Sequence, residues 1–280
     1  MTTLESLLAK APPEELFHYT SQEGLLGILE GWTLWASKIS HLNDAAELVL
    51  ALDLARKKIE SKNVVDIVKD QLLDDIDMMS HGSINIFVFS LTANGDQLSQ
   101  WRGYAPAGAG YSIGFSTGFL TAAAAGSMRF YLGPCSYEPA IHDRVISEIV
   151  DNGVSRILNR VPTDASSFLG SMPFSDALYF AAPFLKHEGF SEEAEWRLVS
   201  RPISCVNPRF KHRPGRSRLV PYFELPLGDR EAAGVVPIRH VIVGPTSNAH
   251  LAMDSVATLV GALGLNGCEI RASSIPFRQW

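Results

Sequence analysis

The stretch Phe190-Ser191-Glu192-Glu193-Ala194-Glu195-Trp196-Arg197-Leu198-Val199 sets three carboxylates ahead of an aromatic, a cation and two aliphatic residues. Alternation predicts a strand here. Glu195, Arg197 and Val199 share one face, and Trp196, Leu198 and Ser200 share the other. On such a strand Glu193 and Glu195 point to the same side. An acid entering a strand beside an arginine needs a partner, a ligand or water once it is buried. Two readings stand side by side: an edge strand with a solvent-facing Glu–Arg pair, or a strand that carries a polar site.

The rest of the chain decides what can surround that strand. Strands are expected at Leu16 to Thr20, Thr33 to Ser37, Ile84 to Ser90, Gly110 to Ser116, Val220 to Pro226 and His240 to Pro245. Shorter pieces are expected at Phe130 to Leu132, Cys135 to Tyr137 and Cys268 to Ala272. Helices are expected over 1–15, after a Thr20 or Ser21 cap as far as Gly31, from an Asn43-Asp44 cap through Ile59, and over 64–79, 140–160, 174–187 and 249–264. Helices and strands mix without a regular βαβ alternation, so the fold class is α+β rather than a doubly wound parallel sheet. One domain over residues 1–280 is expected, with helical insertions near 45–80 and 140–187.

Composition excludes several classes. Hydrophobic residues make up 46% and charged residues 19%, which suits a globular chain with a sizeable core. No run of about 18 apolar residues exists, so no membrane segment is expected. Met1 to Glu5 lacks a basic region before an apolar core, so no secretory signal is expected. Cys135, Cys205 and Cys268 are widely spaced and odd in number, and are read as reduced, mostly buried thiols of a cytoplasmic protein. The eight histidines are scattered, HExxH and CxxC are absent, and no metal site is expected. A P-loop, a GxGxxG turn and a GxSxG elbow are missing as well. The net charge of −6 argues against indiscriminate nucleic-acid binding. The exception is Arg209 to Arg218, with five Lys or Arg in ten residues and no acid. That segment reads either as a solvated loop or as a nucleic-acid contact.

In order along the chain stand Phe17-His18-Tyr19-Thr20, Leu34-Trp35-Ala36-Ser37, Asn43-Asp44 with Glu47, Phe89-Ser90, Trp101 with Tyr104, Gly110, and Glu193 to Leu198. This order and spacing resembles a family of bacterial proteins of unassigned function, some linked to abortive infection, over roughly residues 15–245. That family is in turn similar to the ADP-ribosyltransferase superfamily. The resemblance implies a split mixed or antiparallel sheet whose cleft holds NAD. It also implies a His–Tyr–Glu triad, which falls on His18, Tyr104 and Glu195.

The chemistry suits those residue types. Breaking the nicotinamide–ribose bond develops positive charge on the sugar, which a nearby carboxylate stabilises. Glu195 is expected to do so, to bind the ribose 2′-hydroxyl, and to orient or deprotonate the acceptor. His18 is expected on a ribose hydroxyl and Tyr104 stacked on the nicotinamide ring. Thr20 is expected near the ribose or carboxamide, and Arg102 or Arg197 on the pyrophosphate. Tyr19, Ser90 and Trp101 complete the expected NAD-binding set, and Glu193 is the candidate second acid. The expectation is a cytoplasmic, bacterial, NAD-dependent ADP-ribosyltransferase acting on an unknown macromolecule, as a toxin or phage-defence effector with an antitoxin as partner. Nucleic acid is a candidate acceptor through residues 209–218. The alternatives are a non-catalytic module that binds a nucleotide or a protein partner on the same fold, and an NAD glycohydrolase.

Overall fold

A computed structural model describes residues 1–42, 46–81, 84–104, 110–126, 130–158, 169–215, 217–228 and 236–276. The expected Asn43-Asp44 cap and the Pro106–Ala109 segment lie outside the described residues. The chain begins with α1 (Thr3–Leu8), where Thr2 Oγ1 accepts from the Glu5 amide at 3.2 Å and Glu5 Oε2 accepts from the Thr2 amide at 2.8 Å. It is shorter than the sequence suggests. Then follow β1 (Glu15–Ser21), α2 (Gln22–Gly31) and β2 (Thr33–Lys38). Helices α3 (Ala46–Ser61) and α4 (Asp66–His81) precede β3 (Phe87–Thr92). Next come α5 (Leu98–Tyr104), β4 (Gly110–Ser116), α6 (Thr117–Ala125), β5 (Phe130–Pro134), α7 (Pro139–Ile157) and α8 (Phe174–Ala181). The chain continues through β6 (Glu195–Ser200), β7 (Phe210–Pro214), β8 (Leu219–Pro226), β9 (Ile238–Val243), α9 (Ala249–Ala262) and β10 (Glu269–Ala272).

Among the described residues, ten strands form one mixed sheet, and the class is α+β as expected. The order runs β10-β9-β4-β1-β3-β2-β8-β7, with β6 on β3 and β5 on β6. Only β9 and β10 pair in parallel; the other ladders are antiparallel. The sheet is covered on both faces, so its central strands are apolar on both sides. On β3, Phe87, Phe89 and Leu91 belong to one core and Val88 to the other. The helical stretches expected as two insertions pack together. Leu52 and Ile59 of α3, Leu72 of α4, Val145 and Ile149 of α7 and Leu178 of α8 share a single core with Val88 and Val199. The opposite core joins Leu25 and Leu29 of α2, Leu120 of α6 and Val256 of α9 to Phe89, Phe115 and Phe223.

Two sequence expectations change. The basic segment 209–218 is not all loop: Phe210–Pro214 is an edge strand, antiparallel to β8 from Phe210↔Phe223 to Pro214↔Leu219. Charged side chains suit an exposed edge, which explains why the segment looked loop-like. The cysteines are free, but Cys135 alone is fully buried, and Cys205 is exposed. Among the described residues no helix is long and apolar enough to cross a membrane.

Candidate functional site

Strand β3 has a neighbour along both edges except at one place. On one edge β6 pairs with it from Val88↔Val199 to Thr92↔Glu195. On the other edge β2 takes Phe87 and Val88, and β1 meets it only at Thr92. Among the described residues no strand pairs with Phe89, Ser90 and Leu91 on that edge. Strands β1 and β2 therefore splay from opposite ends of β3, and α2 bridges them. The helix seats closely: a Cβ on Gly24 would fall 1.9 Å from Thr20 Oγ1, so only glycine allows this contact. The notch opens into a cleft of about 640 Å³.

A buried charge cluster closes one end of this cleft. Arg197 donates from Nε to Glu195 Oε1 at 2.7 Å and from Nη2 to Oε2 at 2.9 Å. The same guanidinium reaches Glu47 through two 2.6 Å bonds and the Pro183 carbonyl at 2.7 Å. Lys186 Nζ bonds Glu195 Oε2 at 2.8 Å and Glu193 Oε2 at 2.5 Å, and sits 4.9 Å over the Phe190 ring. Lys186, Arg197 and Glu195 are 1%, 2% and 6% exposed, so these are desolvated ion pairs. Burial alone would raise the Glu195 pKa, but Arg197 and Lys186 pull it down to about 2. Burial raises Glu47 despite Arg197. The Glu195 backbone is pinned too, its amide donating to Tyr137 Oη at 2.9 Å.

The edge-strand reading of Glu195 and Arg197 is thus overturned: β6 lies between β3 and β5, and the pair is buried. Their shared face follows the expected alternation. Glu193 arrives differently. It ends a 3₁₀ turn, Glu188–Glu193, and Ala194 takes a left-handed conformation with φ 43 before β6 begins. The kink, rather than strand alternation, brings both acids to Lys186.

His18 stands on the opposite wall. Its Nδ1 lies 2.9 Å from the Ser90 carbonyl, the acceptor that the missing strand leaves over, and its ring stacks on Phe89 at 4.2 Å. A carbonyl can only accept, so Nδ1 carries the proton. Burial lowers the His18 pKa to about 4, the Ser90 bond opposes this, and Arg213 adds to it. The ring is neutral at physiological pH, which leaves Nε2 as an acceptor.

Tyr104 comes from the last turn of α5. That helix is docked by Tyr19, whose hydroxyl donates to the Asn94 carbonyl and accepts from the Gln97 amide. Trp101 meets the Tyr19 ring edge-on at 4.6 Å and donates to Asp96 at 2.8 Å. Asp96 also accepts from Ser273 and Ser274. Burial would raise the Asp96 pKa, but these bonds hold it below the usual carboxylate range.

His18, Thr20, Ser90, Tyr104, Glu193 and Glu195 all line the cleft, as do Arg197 and part of Tyr19. The structure does not bring in Trp101, which is buried as a docking residue for α5, or Arg102, which is exposed outside the lining. Arg197 borders the cleft, but carboxylates and a carbonyl occupy its donors, so it is poorly placed to take a pyrophosphate.

Sequence reasoning missed Glu47, Lys186, Tyr137 and Arg213 as individual site residues. Glu47 looked like a helix-opening acid. Lys186 carried one signal, a lone cation after the apolar run Tyr179 to Leu185. Arg213 was hidden within the basic segment; it donates to Ser37 Oγ at 3.0 Å and lines the cleft. Among the described residues no cluster of His, Cys, Asp or Glu could hold a metal ion.

A family model described as "Protein of unknown function (DUF2971)" matches residues 100–198. The match runs from within α5, which carries Trp101 and Tyr104, to Leu198 of β6. No curated protein and no solved structure matches the chain.

Proposed function

We propose that the protein is an NAD-dependent ADP-ribosyltransferase, with Glu195, His18 and Tyr104 as its central residues. One observation carries this reading: three side chains far apart in the chain line a single cleft, set where a sheet divides. NAD is the substrate. The nicotinamide–ribose C–N bond breaks with its electron pair leaving on nicotinamide, and the acceptor nucleophile then bonds to the ribose carbon and gives up its proton.

Glu195 suits the first half of this chemistry. A carboxylate offers about four lone-pair directions, and Oε1 receives only one protein bond. A ribose 2′-hydroxyl fits the remaining direction. A pKa of about 2 keeps the group ionised, able to stabilise an oxocarbenium-like sugar. The same low value makes it a weak proton acceptor, so its part is to orient and stabilise rather than to deprotonate. Glu193, less buried at the mouth of the cluster, is the acid left to receive the acceptor's proton. His18 Nε2 accepts from a ribose hydroxyl, and the Tyr104 ring covers the nicotinamide.

The experiment incubates the purified protein with labelled NAD and a cell extract, then follows nicotinamide release and label on protein, DNA or RNA. Transfer by the wild type and none by Glu195→Gln supports the reading. No NAD binding and no release rejects it. Free ADP-ribose without labelled macromolecule would mark a glycohydrolase. The three bonds that Glu195 receives from Lys186 and Arg197 favour a second reading, a module that binds a nucleotide without turnover. Binding of NAD without nicotinamide release distinguishes it. The toxin or phage-defence role, the antitoxin and the bacterial cytoplasm belong to the transferase reading and share its test.

A further inference from the structure

The cations of the cleft and of the cluster that closes it are treated unequally. Lys186 and Arg197 each face carboxylates. Arg213, on β7, reaches past β8 to Ser37 on β2 and meets a hydroxyl only, at 3.0 Å. No carboxylate lies within 4.0 Å of it among the described residues, and its Nε is shut off from solvent with no acceptor. A guanidinium partly removed from water without a counter-charge is costly to the free protein. Such a group is commonly held for a ligand that brings the charge.

The surroundings have the same sign. Lys38 bonds the Asn85 amide oxygen instead of an acid. His41, which also lines the cleft, is pressed below its ordinary pKa by burial and by Arg218, Lys38 and His212. Position matters as well. Along β3, Glu195 stands opposite Thr92 and Ser37 opposite Val88. Four residue steps along β3 separate these ends, about 13 Å. His18 lies between them, its Nδ1 bonded to the Ser90 carbonyl. The cleft is acidic at one end and cationic at the other.

We propose that the Arg213 end is a phosphate-binding subsite, which takes the diphosphate of a nucleotide whose ribose reaches Glu195. The placement of the ribose rests on the function proposed above; the anion site itself does not. Arg213 offers the Nη donors that Ser37 leaves over to phosphate oxygens, in the paired geometry that guanidinium and phosphate share. Ser37 holds the side chain in place, and Lys38 adds positive potential.

Calorimetric titration with inorganic pyrophosphate, ADP and adenosine tests this on wild type, Arg213→Gln, Arg213→Lys and Glu195→Gln. Pyrophosphate and ADP should bind wild type, and Arg213→Gln should weaken both by roughly tenfold or more while adenosine is unchanged. Arg213→Lys should fall between, and Glu195→Gln should bind pyrophosphate like wild type. Without ligand, Arg213→Gln should melt at or above the wild-type temperature, since it removes an uncompensated, half-buried charge. No pyrophosphate binding, equal binding by Arg213→Gln, or a clearly lower melting temperature for that variant overturns the subsite. The two readings fail separately. Arg213-dependent pyrophosphate binding without NAD cleavage keeps the subsite and rejects the transferase. NAD cleavage with an unchanged KM in Arg213→Gln does the reverse.

Discussion

Lys186 Nζ lies 2.8 Å from Glu195 Oε2, the far side of a carboxylate whose other contacts come from Arg197. With Glu47 and Glu193, the cluster sets three acids against two bases and carries one surplus negative charge. That imbalance decides which substitutions the fold tolerates.

Glu195→Gln leaves two matched pairs, Arg197 with Glu47 and Lys186 with Glu193. It should stay folded, with urea unfolding within about 1–2 kcal/mol of wild type. Arg197→Gln leaves three acids facing one lysine and should lose about 3–5 kcal/mol. Urea titration of the two variants compares them, and the opposite order would refute this account of the cluster.

Two depressed pKa values predict acid sensitivity in two stages. His18 has a folded value of about 4, below its ordinary 6.5. Its contribution is complete above pH 6.5 and fades as the pH falls through 4, because the neutral ring is the one buried. Glu195 has a folded value of about 2, below 4.5, so its contribution persists above pH 4.5 and fades toward pH 2. Glu47, shifted upward, runs against the second stage. Melting temperature against pH should begin to fall below 6.5 in wild type, and His18→Gln should flatten the segment between 6.5 and 4. An NMR titration placing His18 near 6.5 would contradict this.

Tyr104 depends on α5, which Asp96 ties to Ser273 and Ser274. On the proposed function, Tyr104→Phe should keep the KM for NAD, because the ring does the stacking, and Tyr104→Ala should raise it by about tenfold. Asp96→Ala should raise KM in the same direction by loosening the helix. A Tyr104→Phe variant as impaired as Tyr104→Ala would assign the role to the hydroxyl instead.

Ala194 is one of two described non-glycine residues with positive φ, and it sits between the two acids. Ala194→Gly should be neutral or stabilising by up to about 1 kcal/mol, since glycine relieves the left-handed strain but adds freedom to the unfolded chain. Ala194→Val should cost about 2 kcal/mol or more and separate Glu193 from Lys186. Thermal melts of both variants check the order.

The sequence made one wall of the cleft easy to read. Glu195, Arg197 and Val199 alternate with Trp196 and Leu198, a period that survives any tertiary context. The HYT strand was legible for the same reason, as polar His18 and Thr20 share a face. The partners of the cluster were not. Glu47 meets Arg197 across 150 residues, and local pattern holds no trace of such a contact. Glu193 kept its partner but not its expected geometry, because nothing in Glu-Ala-Glu announces a left-handed alanine. Arg213 was lost among like charges, and only the depth of each side chain separates it from exposed Lys211 and His212.

The division of the sheet has a mechanical corollary. The flanks of the opening are β1 and β2, secured to β4 and β8 by ladders of seven and five residue pairs. Spreading them would require a whole strand to slide, so the aperture is as stiff as the sheet. Size discrimination then resides in backbone architecture, while adaptation to a new acceptor is left to the side chains at either end.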